Sequence, residues 1–124
     1  MREIKFRGRD VITGNWAYGY YYPSNGHAII RNDNGGECIV APKTVGQFTG
    51  LRDKNGKEIY EGDIVICDVT EREIYDEEFR GVVRWSDRAS GFYPFIRASQ
   101  WRSIVDNVEV IGNIHEYPEL LEDK

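Results

Sequence analysis

The residues TGLRDKNGKEIYEGDIV, positions 49–65, decide the fold. Asn55-Gly56 at their centre is a turn signal, because Asn and Gly take positive φ more readily than other residues. The EIY that follows starts an extended run. Gly62 then permits a bend, and Asp63 can accept bonds from nearby backbone N–H groups. Beyond it, Ile64-Val65-Ile66-Cys67-Asp68-Val69 is continuously apolar rather than alternating. That pattern predicts a strand buried on both faces, as in the wall of a small barrel.

Working outward, the dominant signal is a period of two interrupted by glycine turns, which is the signature of β-structure. Ile4 and Phe6 alternate with Glu3, Lys5 and Arg7, predicting one half-buried strand. Trp16, Tyr18, Tyr20 and Tyr22 fall on one face of a second strand; Ala17, Gly19 and Tyr21 fall on the other, predicting close packing on both sides. Residues 28–30 and 38–40 are short strands joined by Asn32-Asp33-Asn34-Gly35-Gly36. The three Asn-Gly pairs, at 25, 34 and 55, each suit a type I′ hairpin turn. Toward the C-terminus, 70–78 reads as an exposed acidic loop and 81–85 as a strand. Pro94 demotes 92–96 to an edge strand or bulge. Residues 108–114 form a last strand, and Pro118 opens a terminal helical turn. The predicted fold is mainly β: a hairpin-rich N-terminal part with its connector (1–58) packed on a C-terminal SH3-like barrel (59–124). Residues 45–62 join the two.

With 124 residues, the chain is long enough for one domain or two very small ones. Three Trp, eight Tyr and five Phe supply the large buried areas that a small core needs. No apolar run approaches the roughly 20 residues that cross a bilayer. The N-terminus MREIKFRGRD has no apolar leader stretch, so the expected location is cytoplasmic, without membrane contact. Cys38 and Cys67 cannot form a multi-bridge framework and read as free core residues. A net charge of -5 argues against nonspecific phosphate binding as the main role. The charge is unevenly placed, however. Residues 68–78 hold six acids against Arg72, whereas residues 80–102 hold five arginines against Asp87. Such alternation suits a self-complementary oligomer.

Catalytic signals are lacking. His27, Cys38, Cys67 and His115 have no metal-ligand spacing. Ser24, Ser86, Ser90, Ser99 and Ser103 lie outside any nucleophile elbow. Glu58, Glu61 and Asp63 offer paired carboxylates for acid–base or divalent-cation chemistry, although a turn cap with solvated acids explains them more simply. Gly35-Gly36 leads into a strand rather than a helix, so no phosphate cradle is predicted. No catalytic residue, metal ligand or cofactor is therefore assigned. The best functional stretch is 80–102, where arginines interleave with Trp85, Phe92, Tyr93, Phe95 and Trp101. Arginine and tryptophan are enriched in protein–protein hot spots, and aromatic stacking with cationic tracking also binds single strands. The candidate binding residues are Arg84, Trp85, Arg97, Trp101 and Arg102.

Three blocks carry a resemblance: REIKFR at 2–7, TVGQFTGLRDKNGKEIYEGDIV at 44–65 and EVIGNIHEYPELL at 109–121. In this order and spacing they resemble the YopX family of phage and prophage proteins. The resemblance implies a mostly β protein with a C-terminal SH3-like barrel, found in the bacterial host's cytoplasm and forming homo-oligomers. It carries over no catalytic residue, and residues 15–43 and 66–106 lie outside its motifs. The function expected is that of a non-enzymatic phage accessory protein, a protein-binding or self-assembly module whose partner is another copy or a host or phage protein. The alternatives are single-stranded nucleic-acid binding through 80–102, and a metal-dependent hydrolase or nuclease using Glu58, Glu61 and Asp63.

Overall fold

The computed structural model describes residues 4–71, 75–88, 90–95 and 103–121. Its strands pair antiparallel throughout, and two 3-10 turns occur at Pro42–Thr44 and Pro118–Leu121. The chain forms two compact units, Met1–Gly50 and Leu51–Lys124.

In the first unit, β1 (Phe6–Arg9), β2 (Trp16–Ser24), β3 (His27–Arg31) and β4 (Glu37–Val40) are joined by the start of β5 (Gly46–Arg52) in the order β4-β3-β2-β1-β5. The far edge of β4 returns to the end of β1. Asp10 bridges Val40, Ala41 N–H donates to the Arg9 carbonyl at 2.9 Å, and Val11 N–H donates to the Ile39 carbonyl at 3.0 Å. The sheet thus curls around Ala28, Ile30 and Val40, against which Phe6, Ala17, Cys38 and Val45 pack. Gly19 makes the curl sterically feasible: its φ is +150°, and a Cβ there would sit on the Arg31 carbonyl oxygen.

Two expectations for this unit are corrected. Ile4 is exposed and Arg7 is buried, against the alternation predicted there, whereas Phe6 packs on the core as expected. Arg7 tolerates burial because its guanidinium carbon lies 4.4 Å from the centroid of the Trp16 ring, where the π-face receives the cation. The second strand is not packed on both sides either, since Tyr18, Tyr20, Tyr21 and Tyr22 all remain exposed.

The second unit contains β6 (Glu58–Tyr60), β7 (Asp63–Glu71), β8 (Tyr75–Val82), β9 (Arg84–Ser86), β10 (Gly91–Tyr93) and β11 (Ser103–Asn113). β7 is the central strand of a sheet ordered β11-β7-β8, while β9 and β10 form a separate ribbon. Ile64, Val65 and Cys67 on β7 are buried, as their continuous apolar run requires. Ile59, Val65, Val83 and Phe92 form the core, with Phe79, Phe95, Val108 and Val110 packed against it. Among the described residues the ladders do not close into a barrel; the fold is mainly β and antiparallel. The expected loop at 70–78 is also corrected. Its residues belong largely to a β7–β8 hairpin, paired from Ile64↔Val82 to Glu71↔Tyr75. Charge density suggested a loop, but ladder pairing satisfies the backbone whatever the side-chain polarity.

The Asn-Gly pairs divide by geometry. Asn25 and Gly26 have φ of 51° and 80°, the double positive φ of a type I′ turn. At the other two pairs only the glycine is left-handed. There, a residue two positions before the Asn organises the turn through its side chain. Asn32 Oδ1 accepts the N–H groups of Asn34 and Gly36, and Asp53 Oδ1 accepts those of Asn55 and Lys57. The same Asx-organised turn is thus used twice.

Candidate interaction surfaces

The β9–β10 ribbon carries the two sequence-predicted binding residues that fall within the described chain. Trp85 lies opposite Phe92 and Arg84 opposite Tyr93. Phe92 is buried, and the Trp85 ring meets it edge-on with centroids 5.0 Å apart. The indole N–H donates to Asp87 Oδ1 at 2.7 Å, which fixes the ring while leaving it 42% exposed. The two aromatics share one face of the ribbon, with Phe92 buried in the core and Trp85 covering it while keeping part of its own ring in solvent. Arg84 and Arg88 are exposed on either side of Trp85 along the chain. Arg80 is committed elsewhere, donating to the Leu120 carbonyl at 3.1 Å. Arg97, Trp101 and Arg102 lie outside the described residues.

A second surface lies on the β11-β7-β8 sheet. Asp68 on β7 is directly opposite Glu78 on β8 and directly opposite Asp106 on β11. All three are exposed, and residues directly opposite share a face. Three carboxylates consequently run in a row across the sheet. Like charges in this relationship repel by some tenths of a kcal/mol per pair. The row is partly tempered by Asn107, whose Nδ2 donates to Asp68 Oδ2 at 2.9 Å. Asn107 reaches it from a left-handed conformation, φ 51°, beside a register shift that follows Asp106.

A family model described as YopX protein matches residues 5–122. The chain belongs to the YopX family. Its fold is similar to that of protein EF1440 from Enterococcus faecalis, known from a crystal structure, with a TM-score of 0.53 and 24% identity over 98% of this chain and 100% of that one. No curated protein matches the chain.

In this YopX protein two of the carboxylates considered for hydrolytic chemistry, Asp63 and Glu58, have structural roles. Asp63 is buried, and its Oδ2 accepts the Tyr60 N–H at 2.8 Å. Glu58 Oε1 accepts the Tyr60 hydroxyl at 2.9 Å, and its Oε2 lies 3.5 Å from Arg52 Nη2. Among the described residues no group of three or more His, Cys, Asp and Glu side chains is placed to hold a metal ion, and no helix is long and apolar enough to cross a membrane. Neither Cys38 nor Cys67 forms a disulfide. Cys67 is buried. Burial, with the Asp10 carboxylate as second cause, raises the pKa of the half-buried Cys38 thiol, which disfavours the reactive thiolate.

The surface that sequence reasoning missed is the outer face of the N-terminal sheet. Register places Arg9 opposite Trp16, Arg7 opposite Tyr18, Arg31 opposite Tyr20 and Ile29 opposite Tyr22. Phe6 and Tyr21 meet at 5.8 Å on the opposite face, which assigns the even-numbered aromatics of β2 to the outside. Tyr18 is 45% exposed, Tyr20 67% and Tyr22 38%. At the Trp16–Tyr18 end lies a cavity of about 460 Å³, lined in part by Asp10, Asn32, Glu37 and Cys38. The period-two pattern marked these tyrosines as one face. It could not tell an open face from a covered one.

Proposed function

We propose that this YopX protein is a non-enzymatic binding module that assembles with copies of itself through oppositely charged surfaces of its C-terminal unit. The observation that carries this reading is the cross-strand row Glu78–Asp68–Asp106. Three exposed carboxylates in direct register cost folding energy, so their placement makes sense if a cationic surface covers them. The β9–β10 ribbon and its turn have the matching chemistry: exposed Arg84 and Arg88 stand on either side of the half-exposed Trp85 indole along the chain. Because donor and acceptor surfaces differ, the contact is head-to-tail, which generates a ring when the rotation closes.

Finer elements of this reading rest on the family resemblance. They are an accessory role in a phage or prophage, action in the host cytoplasm, and an SH3-like arrangement of the strands after residue 59. A host or phage protein presenting the same Arg/Trp chemistry would serve as an alternative occupant of the acidic row. The test is the solution mass by light scattering at about 50 mM and about 500 mM salt. Charge-driven assembly dissociates as exposed pairs become screened. A mass that stays the same across that range sinks the reading.

A further inference from the structure

We infer that the outer face of the N-terminal sheet binds single-stranded nucleic acid, with Tyr20 and Tyr22 as stacking platforms and Tyr18 and Trp16 continuing the row. This site is separate from the C-terminal surfaces proposed for assembly and does not depend on them.

Spacing is the first argument. Alternate residues of a strand are about 6.6–6.8 Å apart, so the row offers aromatic side chains at a regular interval along one face. An extended single strand can lay successive bases on such a row, since every base has a π-face. The second argument is charge. The whole protein carries -5, yet residues 1–50 hold six basic residues (Arg2, Lys5, Arg7, Arg9, Arg31, Lys43) against four acidic ones (Glu3, Asp10, Asp33, Glu37), a net +2. The unit with the exposed aromatic row is therefore the cationic part of an acidic chain.

Register then joins the two. The three aromatics from Trp16 to Tyr20 each have an arginine as direct cross-strand neighbour. Arg7 is buried against Trp16 and serves to hold the indole, whereas Arg31 is exposed beside Tyr20 and is placed to meet a phosphate. Glu37, opposite Arg31, is the acid of this face within the paired strands. It also lines the cavity at the Trp16 end with Asp10 and Asn32, where carboxylate and amide groups can accept from the exocyclic amine of an inserted base. Arg9 donates through Nε and Nη2 to the Gly14 carbonyl, so Arg31 beside Tyr20 is the exposed cation of the row, and a polyanion with stackable rings uses both the cation and the aromatics.

The experiment is fluorescence anisotropy of a labelled oligodeoxycytidylate of about 15 nucleotides, the upper range of one small β-domain's site, with the full chain at low salt. Binding is expected, with a log–log salt slope that falls by about 0.7 when Arg31→Ala removes one phosphate contact. Tyr20→Ala with Tyr22→Ala should weaken binding at least ten-fold. Both rings are exposed, and an unchanged melting temperature would show that the fold is intact. Trp85→Ala, on the C-terminal ribbon, should leave oligonucleotide affinity unchanged. No binding by the wild type, or full binding by the folded double tyrosine variant, overturns the inference. So does a double variant that loses solution mass but keeps oligonucleotide affinity, which would assign the face to a second copy.

Discussion

Asp53 Oδ2 accepts the backbone N–H of Val110 at 3.0 Å, joining residues 57 positions apart. Its other oxygen accepts the N–H groups of Asn55 and Lys57, both at 2.9 Å. One carboxylate therefore shapes the turn at the centre of the 49–65 stretch and ties it to β11. A second tie runs from Lys54 N–H to the Val108 carbonyl at 2.8 Å. Asp53 is buried. Asp53→Ala would strand three backbone donors and should cost about 3 kcal/mol of stability in urea denaturation. Asp53→Asn keeps one carbonyl acceptor and should cost less. Equal stability of wild type and Asp53→Ala would show that water replaces the carboxylate without loss.

Asp53 also predicts a pH dependence. Burial pushes its carboxyl up, but the bonds from Val110, Lys57 and Asn55 outweigh it, and the pKa falls below the ordinary 3.8. A carboxyl depressed in the folded state contributes stability above its unfolded pKa, and that contribution is lost as pH falls through the folded value. Stability should therefore drop as the solution is acidified below about pH 4, and less steeply in Asp53→Ala. Denaturation midpoints measured at successive pH values decide this; parallel curves for the two proteins would refute it.

The turns make a contrasting prediction. Asn25 is left-handed, whereas Asn34 and Asn55 are not. Asn25→Ala should cost about 1 kcal/mol, because a Cβ-bearing residue without a local hydrogen-bonding group is disfavoured there. Asn34→Ala and Asn55→Ala should fall within about 0.5 kcal/mol of wild type. Thermal melting of the three variants separates them, and equal losses would mean that all three pairs adopt one turn type.

These contrasts indicate what the sequence could convey. The Asn-Gly pairs correctly marked where the chain reverses, and Gly62-Asp63 correctly marked the opening of β7, with Gly62 at φ 94° and Asp63 bonded to Tyr60 N–H. Turn type was less legible, because the deciding groups are Asn32 and Asp53, two residues upstream of the dipeptide. The acidic hairpin is not legible because backbone ladder bonds between β7 and β8 hold it, and the charged side chains of 70–78 do not announce them. The surfaces were the least legible part. How deeply Trp85 and Phe92 are each buried, and whether the β2 tyrosines are covered, depends on what packs against them.

The acidic row should show opposite effects on folding and assembly. Asp68→Asn removes the central charge from between Glu78 and Asp106, so it should stabilise the fold by about 0.3 kcal/mol. The same change should weaken self-association several-fold. Chemical denaturation and sedimentation equilibrium on one preparation measure both. A variant that loses stability would mean that the Asp68–Asn107 hydrogen bond outweighs the repulsion.

Charge reversal tests the assembly most directly. An acid-reversed variant, Asp68→Lys with Glu78→Lys, and a base-reversed variant, Arg84→Glu with Arg88→Glu, should each be monomeric by light scattering at low salt. Mixed in equal amounts they restore opposite charges wherever the two variants alternate, and the mass should rise above that of the monomer. If both variants keep the wild-type mass when alone, or the mixture stays monomeric, these surfaces do not assemble the protein.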